Sequence, residues 1–360
     1  MLPLLLAAAL ATAGDAQVAA RLDSALQVEA RQGFSGVVLV AHEDTIQFER
    51  AYGKAAAAAT AAAVPPGRLA FWIASDSKQF TATSILRLQE LGRLRVTDSI
   101  AQHLPGVPPD KRAVTIHQLL THTSGLPTAY RADGVVERDA AVASILRLPL
   151  ASTPGTRFSY SNDGFVLLAA IVEIASGVHF DDFERDSLFA RAGLTETGLW
   201  GSEAAGVALA PFADPRQARG KSATIYRDGH SVANWGYRGP GGAYSTARDL
   251  VRWIVALRQG RVLGADAMHA LLGRHVLVHA DSSGQSWTGY GWGVRVEGGR
   301  DRSYGHVGGE DWIGHSAVVR FSPEGDIVVV LANSGDHGDE GWAATANRAV
   351  RHVLDPGWRP

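Results

Sequence analysis

Val18, Leu22 and Leu26 recur at a spacing of four, which predicts an amphipathic helix near the start of the chain. The apolar run Gly36-Val37-Val38-Leu39-Val40 and the alternating run Ile46-Gln47-Phe48-Glu49-Arg50 flank His42-Glu43-Asp44-Thr45, the pattern of a β-hairpin. Ala55 to Ala63 is low in complexity and runs into Val64-Pro65-Pro66-Gly67, so a loop is expected there. From about residue 75 to 275 the apolar period is mostly helical and is interrupted by Gly/Pro turns. Within that stretch Thr115 and Gln118 have capping-box spacing, Phe165 to Ala175 reads as a buried helix, and Thr246 to Leu257 as an amphipathic one. Strand character returns at Tyr290–Glu297, Ser316–Phe321 and Ile327–Ala332, the last two joined by the turn Ser322-Pro323-Glu324-Gly325. A final helix carries Trp342, Ala346, Val350 and Val353 on one face.

Strands at both ends with helices between predict an α+β architecture: one antiparallel sheet assembled from both chain ends, flanked by helices, with a large helical insertion. A doubly wound sheet is disfavoured because strands and helices do not alternate. The expected organisation is one domain over residues 17–360, with a sheet region at about 17–70 and 285–360 and a helical region at about 71–284. No internal repeat is visible.

Composition narrows the function classes. The chain has 360 residues, is 46% hydrophobic and 19% charged, and carries a net charge of −2, enough for a large core. Near-neutral charge without a Lys/Arg-rich block argues against a nucleic-acid partner. The apolar run Leu2 to Ala13, with small residues at Ala11-Thr12-Ala13 and Gly14-Asp15-Ala16, reads as a short signal peptide (residues 1–16) removed after Ala13 or Ala16. It is too short to span a bilayer, and no other stretch reaches the roughly 18 apolar residues a span needs. The expectation is a periplasmic or secreted protein without stable membrane insertion. Zero Cys removes disulfide and thiol chemistry.

Candidate chemistry begins with a scarce residue. Of 34 Lys plus Arg only four are Lys, namely Lys54, Lys78, Lys111 and Lys221. Arg stays protonated in proteins, whereas a desolvated Lys can give up its proton and act as a base. Phe80, Ser84, Leu88 and Leu91 mark a helix that Gly92 stops, so Ser75 and Lys78, three apart, share one face of its first turn. There the unpaired N–H groups favour negative charge on a serine oxygen. Taken alone the pair stays open between an activated nucleophile and a plain N-cap. Tyr160-Ser161-Asn162 precedes a helix opening at Asp163, and on an extended segment its Tyr and Asn point the same way; a packed turn is the competing reading. Tyr304-Gly305-His306-Val307-Gly308-Gly309 enters the C-terminal sheet region, where glycines allow close approach of a chain or ligand.

In chain order, Ser-x-x-Lys, Tyr-x-Asn and His-x-Gly resemble the three signature motifs of the serine β-lactamase and penicillin-binding-protein superfamily. The Tyr-x-Asn form is similar to that of class C β-lactamases, D-alanyl-D-alanine carboxypeptidases, D-aminopeptidases and esterases of the same fold. Ser75–Ala82, Leu119–Leu126 and Gly241–Leu250 also look like blocks of that family, and the resemblance spans roughly residues 30 to 335. It implies a β-lactamase/transpeptidase-like fold and a serine hydrolase working through an acyl-enzyme on esters, amides or β-lactams, with no cofactor or metal. Carried over residue by residue, Ser75 would be acylated, and Lys78 and Tyr160 would form the proton network, with the choice of base between them open. Asn162 would bind the acyl side chain, and the N–H groups of Ser75 and Gly309 would form the oxyanion hole. His306, Val307 and Gly308 would line the pocket, and His122 to Gly125 would be a supporting turn outside it.

Two departures bear on substrate. His306 stands where many members carry Lys, so a permanent cation becomes a pH-dependent one. Val307 stands where many carry Thr, which removes a hydroxyl. Both favour short-chain neutral esters over β-lactams or D-peptides. Trp235, Tyr237 and Trp312 either line an apolar pocket or pack in the core. Other classes fit worse. There is no G-x-S-x-G and no H-E-x-x-H, His275 and His279 read as surface, and Pro215 stands where a P-loop ending at Gly220-Lys221-Ser222 wants its first Gly. A relict peptidoglycan- or penicillin-binding module is the non-catalytic alternative.

Overall fold

The computed structural model describes residues 13–199, 206–211, 226–227, 230–231, 235–310, 314–335 and 341–355. The signal-like run before Ala13, Trp312 and the segment 212–225 with Pro215 and Lys221 lie outside them. The chain starts with helix α1 (Ala13–Gln32), followed by the hairpin β1 (Gly36–His42) and β2 (Thr45–Tyr52). The expected loop is instead helix α2 (Gly53–Ala61). Low complexity was misleading there: alanine has the highest helix propensity, and buried Ala55 and Ala59 give the helix a face to pack. A short strand β3 (Ala70–Trp72) leads through a 3-10 turn (Ala74–Ser77) into α3 (Lys78–Glu90).

The helical body continues with α4 (Ile116–Leu120), α5 (Arg138–Leu146), α6 (Asn162–Ser176), α7 (Phe180–Glu184) and α8 (Ala190–Ala192), the last two linked by a π-helical turn. Both halves of the capping box at Thr115 and Gln118 are present. Helix α6 begins one residue earlier than expected because Ser161 caps it, accepting from Gly164 N–H. Two-residue strands β4 (Gly198–Leu199), β5 (Tyr226–Arg227) and β6 (His230–Ser231) precede β7 (Ala243–Thr246), α9 (Ala247–Arg258) and α10 (Ala265–Leu271). The expected helical region to 284 ends at Leu271. Strands β8 (Val276–Asp281), β9 (Gly284–Thr288), β10 (Gly293–Glu297), β11 (Arg300–Glu310), β12 (His315–Phe321) and β13 (Asp326–Ala332) come before the last helix, α11 (Gly341–Leu354).

The main sheet has eight antiparallel strands in the order β2-β1-β13-β12-β11-β10-β9-β8. β1 joins the C-terminal half directly, with Gly36 opposite Ala332 and His42 opposite Asp326. Both faces of this centre are covered, which is why its strands read as continuous apolar runs instead of alternating ones. Val37, Leu39 and Ala41 of β1 face the helical body with Ile327, Val329 and Leu331 of β13. Val38 and Val40 face α1 and α11 with Val328 and Val330. A second sheet, β3-β7-β4, is embedded in the region expected to be helical.

Trp235 and Tyr237 turn out to be buried, with Tyr237 edge-on to Trp72 and donating to Asp133, so they belong to the core. His275 is not surface either: it stacks on Tyr290 at 4.1 Å, while His279 is exposed beside Asp281. Among the described residues no single helix is long and apolar enough to cross a membrane.

Candidate functional site

The small sheet delivers Ser75. Phe71 and Trp72 of β3 are fully buried, and Ile73 N–H donates to Ala243 O at 3.0 Å, locking the end of β3 to β7. Ala74 then takes φ +47°, the left-handed region that costs a non-glycine residue of order 1–3 kcal/mol where surrounding contacts enforce it. The 3-10 turn that follows is pinned by Ser77, whose hydroxyl donates to Ala74 O at 2.6 Å and accepts from Ala243 N–H at 3.0 Å. Ser75 is thus held on a tight turn, partly exposed, ahead of a helix with ten buried residues.

Lys78 opens α3 and is fully buried. Its Nζ lies 3.0 Å from Ser75 Oγ and donates at 2.7 Å to the Pro240 carbonyl. It also sits 4.8 Å from the centre of the Tyr160 ring and 5.6 Å from that of Phe165. Pro240 belongs to Gly239-Pro240-Gly241-Gly242, which wraps the start of α3: Thr81 Oγ1 donates to Gly239 O, and Trp72 Nε1 donates to Gly241 O. Ser75, Lys78 and Tyr160 are therefore brought together from segments far apart in the chain. Asn162, one residue inside α6, is half-buried with its Oδ1 unbonded.

β11 forms the opposite wall. A Cβ on Gly308 would stand 2.1 Å from Ile73 O and 3.0 Å from the backbone nitrogens of Ser75 and Asp76. Only glycine lets this strand lie against the turn that carries Ser75. Gly309 is exposed and has no atom within 4 Å of its Cβ position. β10 pairs with β11 only as far as Gly305, opposite Gly293, so the segment from His306 onward has one pairing partner, β12, among the described residues. Gly308→Ala should therefore cost about 1–3 kcal/mol in denaturant unfolding, since backbone atoms cannot swing aside, whereas Gly309→Ala should leave stability unchanged. Equal unfolding midpoints for the two variants would show that β11 does not lie this close.

His306 keeps part of its ring at the cleft, with Nδ1 2.9 Å from Val307 O. Dense surrounding protein, and then the Lys78 charge, push its pKa down to about 3. The expected pH-dependent cation is corrected by this: the ring is neutral across the physiological range. Val307 alternates with His306 and Gly308 along β11 and lies opposite Val318, yet at 41% exposure it lines the same cavity as His306 and Tyr160. His122 is buried on a left-handed backbone, its ring 4.4 Å from that of Tyr160. Burial first, then the Lys78 charge, hold it well below the usual histidine range. Asp76, next to the nucleophile candidate, is fully buried, and burial raises its carboxyl well above the usual range.

A cavity of ≈ 780 Å3 opens beside Tyr160 and His306, with Phe158, Trp287 and Trp292 in its wall; neither Ser75 nor Lys78 lines it. Among the described residues no group of three His, Asp or Glu side chains is arranged to hold a metal ion. Two participants escaped sequence reasoning. The Pro240 carbonyl has no side-chain signature beyond its Gly-Pro-Gly-Gly setting, and His122 was visible only as part of a turn.

Residues 15–353 match the family model described as Beta-lactamase. The chain is 28% identical over 342 residues to penicillin-binding protein 4* of Bacillus subtilis (strain 168), covering 89% of this chain and 72% of that protein. It is 30% identical over 291 residues to penicillin-binding protein 4 of Amycolatopsis lactamdurans, covering 74% of this chain and 72% of the relative. The crystal structure of a penicillin binding protein from Bacillus halodurans matches with TM-score 0.73 at 28% identity, over 92% of this chain and 98% of that one. D-amino acid amidase from Ochrobactrum anthropi SV3 shares the fold, with TM-score 0.73 at 22% identity over 94% and 98%.

Proposed function

Since the chain belongs to the Beta-lactamase family, whose members are serine hydrolases, we propose that it forms an acyl-enzyme on Ser75 and acts on neutral short-chain esters ahead of β-lactams. The observation that carries this is the buried Lys78 Nζ at 3.0 Å from Ser75 Oγ, with the Tyr160 ring beside it. That is hydrogen-bond reach for a base acting on a nucleophile. Ser75 Oγ attacks the acyl carbon and its proton passes to the Lys78–Tyr160 pair, which returns a proton to the leaving group. The same pair then takes a proton from the water that cleaves the acyl-enzyme. The N–H groups of Ser75 and Gly309 receive the developing oxyanion; the close approach of Gly308 to the Ser75 backbone supports this pairing. Asn162 contacts the acyl group, and His306, Val307 and Gly308 line the way in. A small-molecule or peptide substrate, an exported location and a single domain fit this reading.

The ester preference rests on missing charge at positions 306 and 307, although Arg320 and Arg351 line the same cavity. With His306 neutral and Val307 apolar, these two positions give a substrate carboxylate no charge-assisted hydrogen bond, a difference of roughly 1.5–3 kcal/mol, or about ten- to a hundredfold in rate. A neutral ester loses nothing. Nitrophenyl acetate should be turned over faster than penicillins, and Val307→Thr should raise penicillin turnover relative to the ester. Efficient wild-type cephalosporin hydrolysis that Val307→Thr leaves unchanged would overturn the preference. Because His306 carries no charge in either case, the ratio of penicillin to ester turnover is expected to stay flat between about pH 5 and 8. A rise of that ratio on acidification would show that His306 does titrate there.

A second reading is hydrolysis of D-amino-acid peptides or amides. It draws on the 30% identity to a penicillin-binding protein and the amidase-like fold. A panel of nitrophenyl esters, D-amino-acid amides and cephalosporins separates the two, and a fluorophosphonate probe separates both from a non-catalytic binding module, which stays unlabelled.

A further inference from the structure

The reading of Tyr160 as a proton-transfer group requires its phenol to be held still, and one residue touches Tyr160 and its chain neighbours at three points. His122 grips the backbone on both sides of Tyr160. Its carbonyl accepts from Ser159 N–H at 2.8 Å, and its ring Nδ1 accepts from Ser161 N–H at 3.1 Å. Between those two bonds the His122 ring lies on the Tyr160 ring, with centroids 4.4 Å apart and planes at 30°. Phe165 lies against the same imidazole at 5.1 Å, and Phe158 meets it edge-on. The grip depends on His122 φ of +56°, a left-handed conformation unusual for a residue with a side chain.

The chemistry of the ring fits a holding role. A nitrogen that accepts the Ser161 N–H carries no proton, so the neutral ring keeps its proton on Nε2. A second proton would go on Nδ1 and break the bond to Ser161. Burial and the nearby Lys78 charge keep that proton off. His122 therefore stays an acceptor through the catalytic cycle, while proton movement belongs to the Lys78 and Tyr160 pair.

We infer that His122 is a positioning residue for Tyr160, fixing the backbone on both sides of it and the plane of its ring so that the phenol meets Lys78 in one geometry. The inference rests on the assignment of Tyr160 above. A histidine that only filled the core would affect unfolding and not the chemistry of Tyr160 in particular, which a double-mutant cycle separates.

The test compares His122→Gly, His122→Asn, Tyr160→Phe and the His122→Gly/Tyr160→Phe double variant, with nitrophenyl acetate turnover and the rate of labelled-penicillin acylation read in parallel. Gly tolerates the left-handed backbone but removes both ring and acceptor, whereas Asn tolerates it and puts an acceptor oxygen where Nδ1 stood. His122→Gly is expected to lower kcat by about 10²-fold with KM within about threefold, the size of a misplaced proton-transfer group. His122→Asn should recover about tenfold of that loss, and His122→Gly should cost less than about threefold once Tyr160 is Phe. Equal losses in both backgrounds, or an Asn variant no better than Gly, would overturn the inference. If His122→Gly does not fold, His122→Asn decides: lowered kcat with an unchanged KM supports the role, and wild-type kcat overturns it. Full activity in Tyr160→Phe instead defeats the assignment of Tyr160 itself, whereas an inactive Tyr160→Phe beside a fully active His122→Gly defeats only the positioning role.

Discussion

Ser75→Ala is expected to lower turnover of every substrate by about 10⁴-fold or more while leaving thermal unfolding unchanged, a loss comparable to removing a nucleophile from other serine hydrolases. The side chain is partly exposed, and the turn beneath it is held by Ser77 and Ala243 instead. Deleting the hydroxyl thus removes chemistry without removing a structural bond other than that to Lys78. Intact-mass measurement with a slow acylating inhibitor should show an adduct on the wild type and none on the variant. An adduct that persists on Ser77 or Ser161 would reassign the nucleophile, although both hydroxyls are already engaged, by Ala74 and Ala243 in one case and by Gly164 in the other.

Lys78→Arg should be nearly as damaging as Lys78→Ala, with losses of about 10²–10⁴-fold, because a guanidinium keeps its proton and cannot take one from Ser75. The site adds a steric reason. Lys78 is fully buried and its Nζ reaches both Ser75 Oγ and the Pro240 carbonyl, so a larger planar head has no room without shifting the Gly239–Gly242 segment. A variant with Met at this position separates the effects, since Met approximates the buried stem without a proton acceptor of comparable basicity. Substantial activity in Lys78→Arg would mean that positive charge, not proton transfer, is what the position supplies.

Much of this site could be read from the sequence, for identifiable reasons. Lys78 stood out because the chain otherwise uses Arg, and a scarce residue three positions after a serine at a helix start is a local signal. The centre of the sheet was legible because β1, β12 and β13 are apolar and bounded by clear turns. β8 was not: all but one of its residues are exposed, which leaves no apolar alternation to read. The alanine run was misjudged because its low complexity suggested a loop while its propensity favoured helix. His122 and Pro240 act through contacts with residues far along the chain, one by a ring face and the other by a carbonyl. Neither is encoded in local spacing. The pKa of His306 was missed for the same reason, since it depends on burial and on Lys78, both products of the tertiary structure.

The pairing of β1 with β13 also sets an order of assembly. On one side Gly36 pairs locally with Tyr52 of β2, but on the other its partner is Ala332, far later in the chain, and such distant pairings are slow because loop closure must precede the contact. The turn bearing Ser75 and helix α3 emerge early during synthesis, whereas β11, the wall that faces them, sits in the last quarter of the chain beside the strands that close the sheet. A partly made or prematurely released polypeptide can therefore present the serine and the lysine without the strand that completes the cleft. On the proposed chemistry, hydrolytic competence is expected to arrive only with the closing of the sheet.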